Sequence, residues 1–369
     1  MEQQTGISME SEVRLMKGNE ALAHAAIRYG VDAYFGYPIT PQSEIIETLM
    51  AQRPWQSTGM TVMQVESEVS AIHMVYGAAA TGKRAMTSSS GPGISLMQGG
   101  ISYLCGANLP CLIVNVMRGG PGLGTIQPSQ ADYYQAVKGG GHGDYKLFTL
   151  APSSVQEMAD FVSVAFDWAF RNCNPAMILA DGTIGQMMEK VVLPPARPRL
   201  TDDEIAHKYP WAIDGARHSR IGSNRIASLE LDAAVMEQRN CERQHKYELA
   251  EQNDARAEAT LTADAEVLIV AFGSAARICA KAVDLARAEG LKLGLLRPIT
   301  LWPFPSAYLR EAAEHARGIL CVELNAGQMI DDVRIAVESR ILVEHYGRLG
   351  GAVFTPTEIV SAAKNIFKL

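Results

Sequence analysis

Short apolar segments typical of buried strands alternate with helical patterns from about residue 15 to residue 194. The candidate strands are DAYFGY, RAMTSSS, CLIVNVM and AMILADG, and the helical segment SSVQEMADFVSVAFDWAFRN separates the last two. Strands that alternate with helices in this way form a parallel sheet with helices on both of its faces. The sequence therefore predicts an α/β domain over residues 1–194.

The next stretch, residues 195–260, differs because it contains 22 of the 73 charged residues of the chain. Its first part predicts an irregular surface crossover, and residues 226–259 predict one long, polar helix. We interpret this helix as a solvated connection, with a contact to another subunit as the alternative. Alternation resumes with EVLIVAFGS, LKLGLLRP and GILCVEL, which predicts a second, smaller parallel-sheet α/β domain over residues 261–369.

The composition argues against several classes of protein. The chain of 369 residues is 47% hydrophobic and 20% charged, and no apolar run is long enough to cross a membrane. The N-terminus lacks the apolar core of a signal peptide, so we expect a cytoplasmic protein. The net charge of −7, without a basic tract, argues against nucleic acid or a membrane surface as a partner. The six cysteines are scattered without a CxxC motif, so we expect reduced thiols and no bound metal.

Glycine is concentrated in residues 86–150, which hold 13 of the 32 glycines but only five Asp, Glu, Lys or Arg residues. Three glycine-rich loops, TSSSGPG, RGGPGLG and KGGGHGDY, follow or flank predicted strands. Glycine costs conformational entropy on folding, so this density indicates close approach to a ligand or partner chain, with tight turns as the alternative. Ligands of open α/β sheets bind at such strand ends. No GxGxxG, P-loop or GxSxG motif indicates one of the common nucleotide or hydrolase sites.

Two further segments carry polar residues at predicted strand-to-helix junctions. In GYPITPQSE, Thr40 suits the N-cap of the next helix and Pro41 its first position. In QVESEVSAIHM, Glu66 and Glu68 lie at the start of a mostly apolar helix predicted near residues 67–81. Acidic residues in a first helical turn interact favourably with the helix dipole, and this explanation competes with that of a catalytic carboxylate.

Several long motifs resemble one protein family in the same order over nearly the whole chain. They are GYPITPQSE, VESEVSAIHMVYGAAATGKRAMTSSSGPGISLM, NVMRGGPGLGTIQPSQADYYQ, RPITLWPFP and CVELNAGQM. Together they resemble the alpha chain of a 2-oxoacid:ferredoxin oxidoreductase, closest to the 2-oxoisovalerate (branched-chain) type, with the 2-oxoglutarate type as a near relative. The resemblance implies a thiamine diphosphate pyrimidine-binding module followed by a domain similar to the C-terminal domain of transketolase.

Enzymes of this family use thiamine diphosphate and iron–sulfur clusters to convert a 2-oxoacid and coenzyme A into an acyl-CoA, CO2 and reduced ferredoxin. The resemblance implies that this chain holds the pyrimidine half of the cofactor. It also implies a beta subunit that carries the diphosphate site, its Mg²⁺ and a [4Fe-4S] cluster, with gamma and ferredoxin-like delta subunits as further partners. The sequence agrees with that division, because it has neither the GDG-and-Asn diphosphate motif nor a cysteine cluster.

The resemblance also implies roles for individual residues. Thr40 matches a threonine that contacts substrate and cofactor, and Glu68 matches the glutamate that hydrogen-bonds N1′ of the aminopyrimidine ring. Arg118 matches an arginine that faces the substrate carboxylate, for which a guanidinium fork is well suited. Ile39 and Ser90 are further expected contacts of the cofactor.

Other polar residues near these motifs have open roles. His73 is expected to pack within its helix rather than to act in catalysis, and His142 suits either the site or a subunit contact. Gln127, Gln130 and Asp132 follow the arginine and are candidates for fixing its loop. We interpret RPITLWPFP as architectural.

Two alternatives to an enzyme subunit stay open: an interaction protein that keeps the fold without catalysis, and a stand-alone ligand-binding protein. The joint presence of Thr40, Glu68 and Arg118 argues against the first, because a catalytically dead copy has no reason to keep all three. The substrate stays open as well. A 2-oxoglutarate site needs a second cation for the distal carboxylate, whereas a branched 2-oxoacid needs apolar walls.

Overall fold

The computed structural model describes residues 10–213 and 224–369. Residues 1–9 of the predicted first domain and residues 214–223 of the predicted crossover lie outside the described residues. The strands are β1 (Glu12–Lys17), β2 (Ala33–Gly36), β3 (Thr61–Gln64), β4 (Ala85–Ser89), β5 (Leu112–Met117), β6 (Phe148–Leu150), β7 (Ala176–Asp181), β8 (Met188–Leu193), β9 (Ala257–Thr260), β10 (Val267–Val270), β11 (Leu293–Pro298), β12 (Thr300–Trp302), β13 (Gly318–Glu323) and β14 (Leu342–Gly347). The helices are α1 (Gly18–Tyr29), α2 (Ser43–Gln52), α3 (Pro54–Ser57), α4 (Glu68–Ala80), α5 (Pro92–Gly106), α6 (Tyr133–Val137), α7 (Val155–Asn172), α8 (Gly182–Gln186), α9 (Asp202–Lys208), α10 (Ala233–Asn253), α11 (Gly273–Ala288), α12 (Ser306–Ala312), α13 (Met329–Ala336) and α14 (Pro356–Phe367).

A larger sheet with the strand order β12-β6-β7-β5-β4-β2-β3 forms the centre of the N-terminal half. All of its strands except β12 run parallel. Strands β5 and β7 are buried at every residue, which requires cover on both faces of the sheet. The prediction of a helix-covered parallel sheet is therefore confirmed.

The edge strand β12 comes from the segment RPITLWPFP in the C-terminal half of the chain. It pairs antiparallel with β6, where Thr300 lies opposite Leu150. Trp302 is buried and meets Trp168 of α7 edge-to-face, with 6.4 Å between the ring centroids. This segment therefore has a structural role, because through it the C-terminal half of the chain covers one edge of the larger sheet.

A smaller sheet with the order β14-β13-β10-β11-β9 forms the centre of the C-terminal half. Strands β10, β11, β13 and β14 run parallel, so the second predicted parallel-sheet unit is confirmed. A separate two-stranded sheet pairs β1 with β8 antiparallel. The proposed division of the chain at residues 194 and 260 stays a prediction.

The prediction of one helix over residues 226–259 is wrong at both ends. Helix α10 begins after Asp232, whose carboxylate caps it by accepting the backbone N–H of Ala234 at 2.9 Å. The helix ends before Asp254, which accepts a hydrogen bond from Trp168 Nε1 at 2.8 Å. The chain then enters strand β9, which pairs antiparallel with β11. Because that pairing joins segments far apart in the sequence, the local charge pattern does not reveal it.

The described part of the chain contains no helix that is both long and apolar enough to span a membrane. Within the same residues, no group of three or more His, Cys, Asp or Glu side chains could hold a metal ion. Four cysteines are buried (Cys105, Cys111, Cys279 and Cys321). Burial raises the pKa of the Cys105 thiol to about 12, which keeps this thiol protonated at neutral pH.

The carboxyl ends of β5, β4, β2 and β3 lie side by side at one edge of the larger sheet, because these neighbouring strands are parallel. The loops that leave these ends are residues 118–132, 90–91, 37–42 and 65–67. Every candidate site residue from the sequence lies in one of these loops or directly after it. The fold therefore gathers the candidates at one edge.

Candidate active site

Glu68 is the first residue of helix α4, where the sequence predicts a helix to start. The N-cap residue Ser67 accepts the backbone N–H of Ser70 on its Oγ at 3.2 Å. Glu68 is only 6% exposed, and its carboxylate has no hydrogen-bond or ion-pair partner among residues 10–213 and 224–369. Burial of a carboxylate without a partner is costly, so we expect a group outside this chain to meet it.

Glu66 differs from Glu68 in its surroundings. It is exposed, and its Oε1 accepts a hydrogen bond from Ser70 Oγ at 2.8 Å. Both carboxylates lie near the N-terminus of α4, with Glu68 in its first turn and Glu66 just before the N-cap Ser67. Only Glu68 is buried, and this difference favours Glu68 as the functional carboxylate.

The last residue of strand β4 and the residue after it are serines whose hydroxyls are buried without a partner in the described structure. These are Ser89 and Ser90, both fully buried. The preceding Ser88 is engaged instead, because its Oγ donates to Gln42 Oε1 at 2.6 Å and lies 2.7 Å from Tyr34 Oη. Buried hydroxyls without partners can offer hydrogen bonds to a polar ligand, and that of Ser89 borders the same glycine, Gly93, as the Glu68 carboxylate.

Two glycines bring the loop after β4 into contact with both charged candidates. A β-carbon on Gly93 would lie 2.1 Å from Ser89 Oγ and 2.5 Å from Glu68 Oε1, so only glycine fits here without a shift. Gly91 has a φ of 44°, and a β-carbon there would lie 3.5 Å from Arg118 Cγ. This loop therefore lies between Glu68 and Arg118, which explains the glycines of TSSSGPG by close approach.

Arg118 opens the arginine loop, which we define as residues 118–132. It is 8% exposed and donates from Nη1 to Thr40 O and from Nη2 to Leu123 O, both at 2.9 Å. Its Nε is buried without a partner within the described residues. In the part of the chain that the structure describes, only neutral carbonyl groups hold this buried cation by hydrogen bonds, so the guanidinium is suited to receive an anion.

The arginine loop ends in a half-buried acidic residue. Asp132 accepts a hydrogen bond from Asn115 Nδ2 at 3.0 Å. Burial raises the pKa of the Asp132 carboxyl above its usual value, while Asn115 and the positive charge of Arg118 act in the opposite direction. Asp132 thus lies in the electrostatic environment of Arg118 without forming an ion pair that would occupy it.

The stretch GYPITPQSE forms a turn before helix α2. The helix begins at Ser43 with Gln42 at the N-cap position, so the prediction of Thr40 as the cap and Pro41 as the first helical residue is wrong. The backbone N–H of Gln42 donates to Ile39 O at 3.1 Å and closes a separate turn ahead of the helix. Thr40 is exposed and Ile39 half-buried, so the threonine hydroxyl is free of the capping role.

The structure also places the residues with open roles. His73 is exposed on α4 rather than buried; its Nδ1 lies 2.7 Å from Val69 O and its ring meets Tyr103 edge-on, with 6.2 Å between the ring centroids. His142 is exposed, and its carbonyl accepts a hydrogen bond from Ser102 Oγ. The carbonyl of Gln127 accepts the backbone N–H of Gly119 at 2.9 Å, which closes the arginine loop on itself.

Two family models match the chain in succession. The thiamine diphosphate-binding domain of pyruvate flavodoxin/ferredoxin oxidoreductases matches residues 24–264, and core domain II of pyruvate:ferredoxin oxidoreductase matches residues 265–359. The chain belongs to the 2-oxoacid:ferredoxin oxidoreductase family. The family resemblance expected from the sequence motifs is thereby confirmed.

Relatives within the 2-oxoacid:ferredoxin oxidoreductases match over nearly their full length. The ketoisovalerate oxidoreductase subunit VorB of Methanothermobacter marburgensis is 47% identical over 96% of this chain and 97% of the relative. The 2-oxoglutarate synthase subunit KorA of Methanothermobacter thermautotrophicus is 35% identical over 95% of this chain and 98% of the relative. Both relatives are named as subunits, so a partner subunit is part of this family's organisation.

Solved structures with a similar fold include a member of the same family. The 2-oxoglutarate:ferredoxin oxidoreductase of Magnetococcus marinus, with 2-oxoglutarate, coenzyme A and succinyl-CoA bound, matches with a TM-score of 0.84 and 26% identity. The match covers 96% of this chain but only 65% of that longer chain. A split-gene transketolase, at 15% identity and a TM-score of 0.58, shares the fold alone.

The residues present fit the pyrimidine half of thiamine diphosphate. The buried hydroxyls of Ser89 and Ser90 lack partners in the described structure, and Glu68 is only 6% exposed. An aminopyrimidine ring presents ring nitrogens and an exocyclic amine, which need such acceptors and donors. The larger domain therefore has both the family's thiamine diphosphate-binding module and a set of side chains suited to the ring.

Proposed function

We propose that this chain is the alpha subunit of a thiamine diphosphate-dependent 2-oxoacid:ferredoxin oxidoreductase. The reaction is oxidative decarboxylation of a branched-chain 2-oxoacid such as 2-oxoisovalerate, with coenzyme A, to an acyl-CoA, CO2 and reduced ferredoxin. The observation that carries the proposal is the placement of two buried charged residues, Glu68 against Gly93 and Arg118 against Gly91, at the carboxyl edge of the larger sheet. The identity of 47% to a ketoisovalerate oxidoreductase subunit supports the branched-chain substrate.

Bound thiamine diphosphate would supply the chemistry that stabilises the negative charge left when the 2-oxoacid loses CO2. Glu68 would hold a proton at N1′ of the aminopyrimidine ring. Ser90, with Ser89, would complete the hydrogen bonds of the ring, and Ile39 would contact the cofactor with its apolar side chain. These residues belong to loops on parallel neighbouring strands, so the sheet fixes their relative positions.

Arg118 would bind the carboxylate of the 2-oxoacid. The carbonyl of Thr40 holds the guanidinium at 2.9 Å, which leaves the threonine hydroxyl free for substrate and cofactor. Removal of a positive charge from water strengthens its interaction with a substrate anion. Thr40 would therefore both orient the arginine and contact the substrate.

The apolar surface beside Arg118 favours a branched-chain substrate over 2-oxoglutarate. Leu123 is 81% exposed and Ile126 is 57% exposed, and both belong to the arginine loop. Residues 119–137 contain no lysine or arginine that could meet a second carboxylate. 2-Oxoglutarate is the second candidate substrate, because relatives named as 2-oxoglutarate synthase subunits share 35% identity with the chain.

The remaining parts of the enzyme are proposed to lie on partner subunits. A beta subunit would carry the diphosphate site, Mg²⁺ and a [4Fe-4S] cluster, and gamma and ferredoxin-like delta subunits would pass electrons to ferredoxin. The relatives that are named as subunits support an assembly of this kind.

A Gly93→Ala substitution is expected to slow cofactor activation. Its β-carbon would meet Glu68 Oε1 at 2.5 Å, so the carboxylate must move away from its position. We expect hydrogen–deuterium exchange at thiamine C2 to slow by about tenfold or more, because small displacements at a reacting centre have large effects. Gly99→Ala on the same helix is the matched control, since no atom lies within 4 Å of the added carbon. Equal exchange rates in the two variants would contradict the assigned position of Glu68.

Steady-state kinetics of the complex with its beta subunit test the proposed function. The substrates are 2-oxoisovalerate, 2-oxoglutarate, pyruvate and an aryl 2-oxoacid, each with coenzyme A and ferredoxin. We expect the highest kcat/KM with 2-oxoisovalerate. A higher kcat/KM with 2-oxoglutarate would favour the second candidate function, that of a 2-oxoglutarate oxidoreductase subunit. A folded complex that is inactive on all four substrates would favour a non-catalytic interaction subunit.

A further inference from the structure

The arginine loop is fastened to the C-terminal half of the chain at Gln130. Its backbone N–H donates to Leu324 O at 2.9 Å, and its Nε2 donates to Phe272 O at 2.8 Å. Its Oε1 accepts the backbone N–H of Leu324 at 3.0 Å, and its carbonyl accepts Asn325 Nδ2 at 2.8 Å. The main-chain and side-chain polar groups of this fully buried residue thus all bind the C-terminal half. Such complete pairing fixes both its backbone and its side chain.

The surface that receives Gln130 is itself held in place. Phe272 and Leu324 follow the neighbouring parallel strands β10 and β13. Asn325 also donates to Glu323 Oε2 at 2.9 Å, and this carboxylate is fully buried. Glu323 accepts the backbone N–H of Met329 at 2.7 Å at the start of helix α13. The strand ends of the smaller sheet therefore form a rigid receptor for Gln130.

The fastening point is connected to Arg118 through a short paired segment. Arg118 and Pro128 form an antiparallel β-bridge, and the next residue, Ser129, donates from Oγ to Leu324 O at 3.1 Å. Gly351 of the C-terminal half packs directly against the loop at Gln127, since a β-carbon on Gly351 would lie 2.3 Å from Gln127 Cβ. A shift of Gln130 would therefore be passed to the backbone of Arg118.

We propose that Gln130 is a positioning residue that sets the orientation of Arg118 by locking the arginine loop onto the smaller sheet. The inference rests on the proposed function, in which Arg118 binds the substrate carboxylate. Within residues 10–213 and 224–369 the Arg118 guanidinium makes two hydrogen bonds, to Thr40 O and Leu123 O, and one of these carbonyls belongs to the same loop. The C-terminal half thus takes part in substrate binding without a side chain that touches the substrate.

The test compares Gln130→Ala with Tyr133→Phe in the complex with the beta subunit. Tyr133 is also fully buried and also bridges the two halves, through a 2.7 Å bond from its hydroxyl to Asp332 Oδ2, but it lies outside the arginine loop. In Gln130→Ala we expect KM for 2-oxoisovalerate to rise about tenfold, with kcat changed less than about threefold. Exchange at thiamine C2 should stay at the wild-type rate, because Glu68 is held by other elements. Tyr133→Phe should leave KM unchanged.

Asn325→Ser provides the same test from the receptor side if Gln130→Ala does not fold. It removes the donor to the Gln130 carbonyl, and we again expect a raised KM with normal C2 exchange. An unchanged KM in the folded variant, or an equal rise in Tyr133→Phe, would overturn the inference. Arg118→Ala distinguishes a failure of this inference from a failure of the proposed function. If KM rises in Arg118→Ala but not in Gln130→Ala, only the role of Gln130 is rejected. If KM is unchanged in Arg118→Ala, the proposed carboxylate site itself is rejected.

Discussion

Replacement of Glu68 by glutamine is expected to slow hydrogen–deuterium exchange at thiamine C2 by about 10²- to 10⁴-fold, the usual contribution of a positioned acid–base group. Glutamine keeps the size of the side chain and a hydrogen bond to N1′, but it cannot hold or release the proton. Glu68 is only 6% exposed, so bulk water has little access to the carboxylate. Cofactor binding by the complex with the beta subunit should largely survive.

Glu66→Gln is the matched control for this prediction. Glu66 lies two residues earlier, is exposed, and accepts a hydrogen bond from Ser70 Oγ at 2.8 Å. Its helix-end interaction is worth only about 0.3–1 kcal/mol, so the exchange rate should be close to that of the wild type. A wild-type rate in Glu68→Gln, or the large defect in Glu66→Gln instead, would show that the functional carboxylate is wrongly assigned.

Arg118→Ala is expected to raise KM for the 2-oxoacid and to lower kcat/KM by about 10²-fold or more. Truncation of one partner in a desolvated charge pair costs about 2–5 kcal/mol, and about 1.4 kcal/mol corresponds to a factor of ten. Arg118 is 8% exposed, so solvent screens its charge only weakly. Steady-state kinetics with 2-oxoisovalerate measure both quantities.

Arg118→Lys should recover only part of that loss. The arginine donates its two hydrogen bonds to carbonyl groups from separate nitrogens, from Nη1 to Thr40 O and from Nη2 to Leu123 O. A lysine ammonium cannot reproduce this fork and also meet a carboxylate in a bidentate manner. An unchanged KM in a normally folded Arg118→Ala complex would show that this arginine does not meet the substrate.

The parts of the structure that depend on local sequence were predictable. Strand–helix alternation indicates the parallel sheets, and the Ser67–Glu68 junction marks a helix start that the structure confirms. Once the strands are parallel, their carboxyl ends share one edge, so the loops with Thr40 and Arg118 must lie near each other. The family resemblance supplied the roles of these residues, which the pattern alone left open.

The parts that depend on long-range contacts were not predictable from local pattern. Thr40 and Pro41 have suitable residue types for a helix start, but a turn closed by Gln42 delays the helix. The polar sequence of β9 resembles a helix end until its pairing with β11 is known. The position of Gln130 after the arginine makes it a candidate for fixing the loop, but its partners give no local signal, because each lies more than 140 residues further along the chain.

Calorimetric titration of thiamine diphosphate and Mg²⁺ tests the central claim that this chain holds one half of a split site. The titration is performed on the chain alone and on its complex with the beta subunit. We predict weak binding to the chain alone, without turnover, because the proposed site for the charged diphosphate lies on the partner, and tight binding to the complex. Micromolar or tighter binding to the chain alone would contradict the proposed division of the thiamine diphosphate site between this chain and the beta subunit.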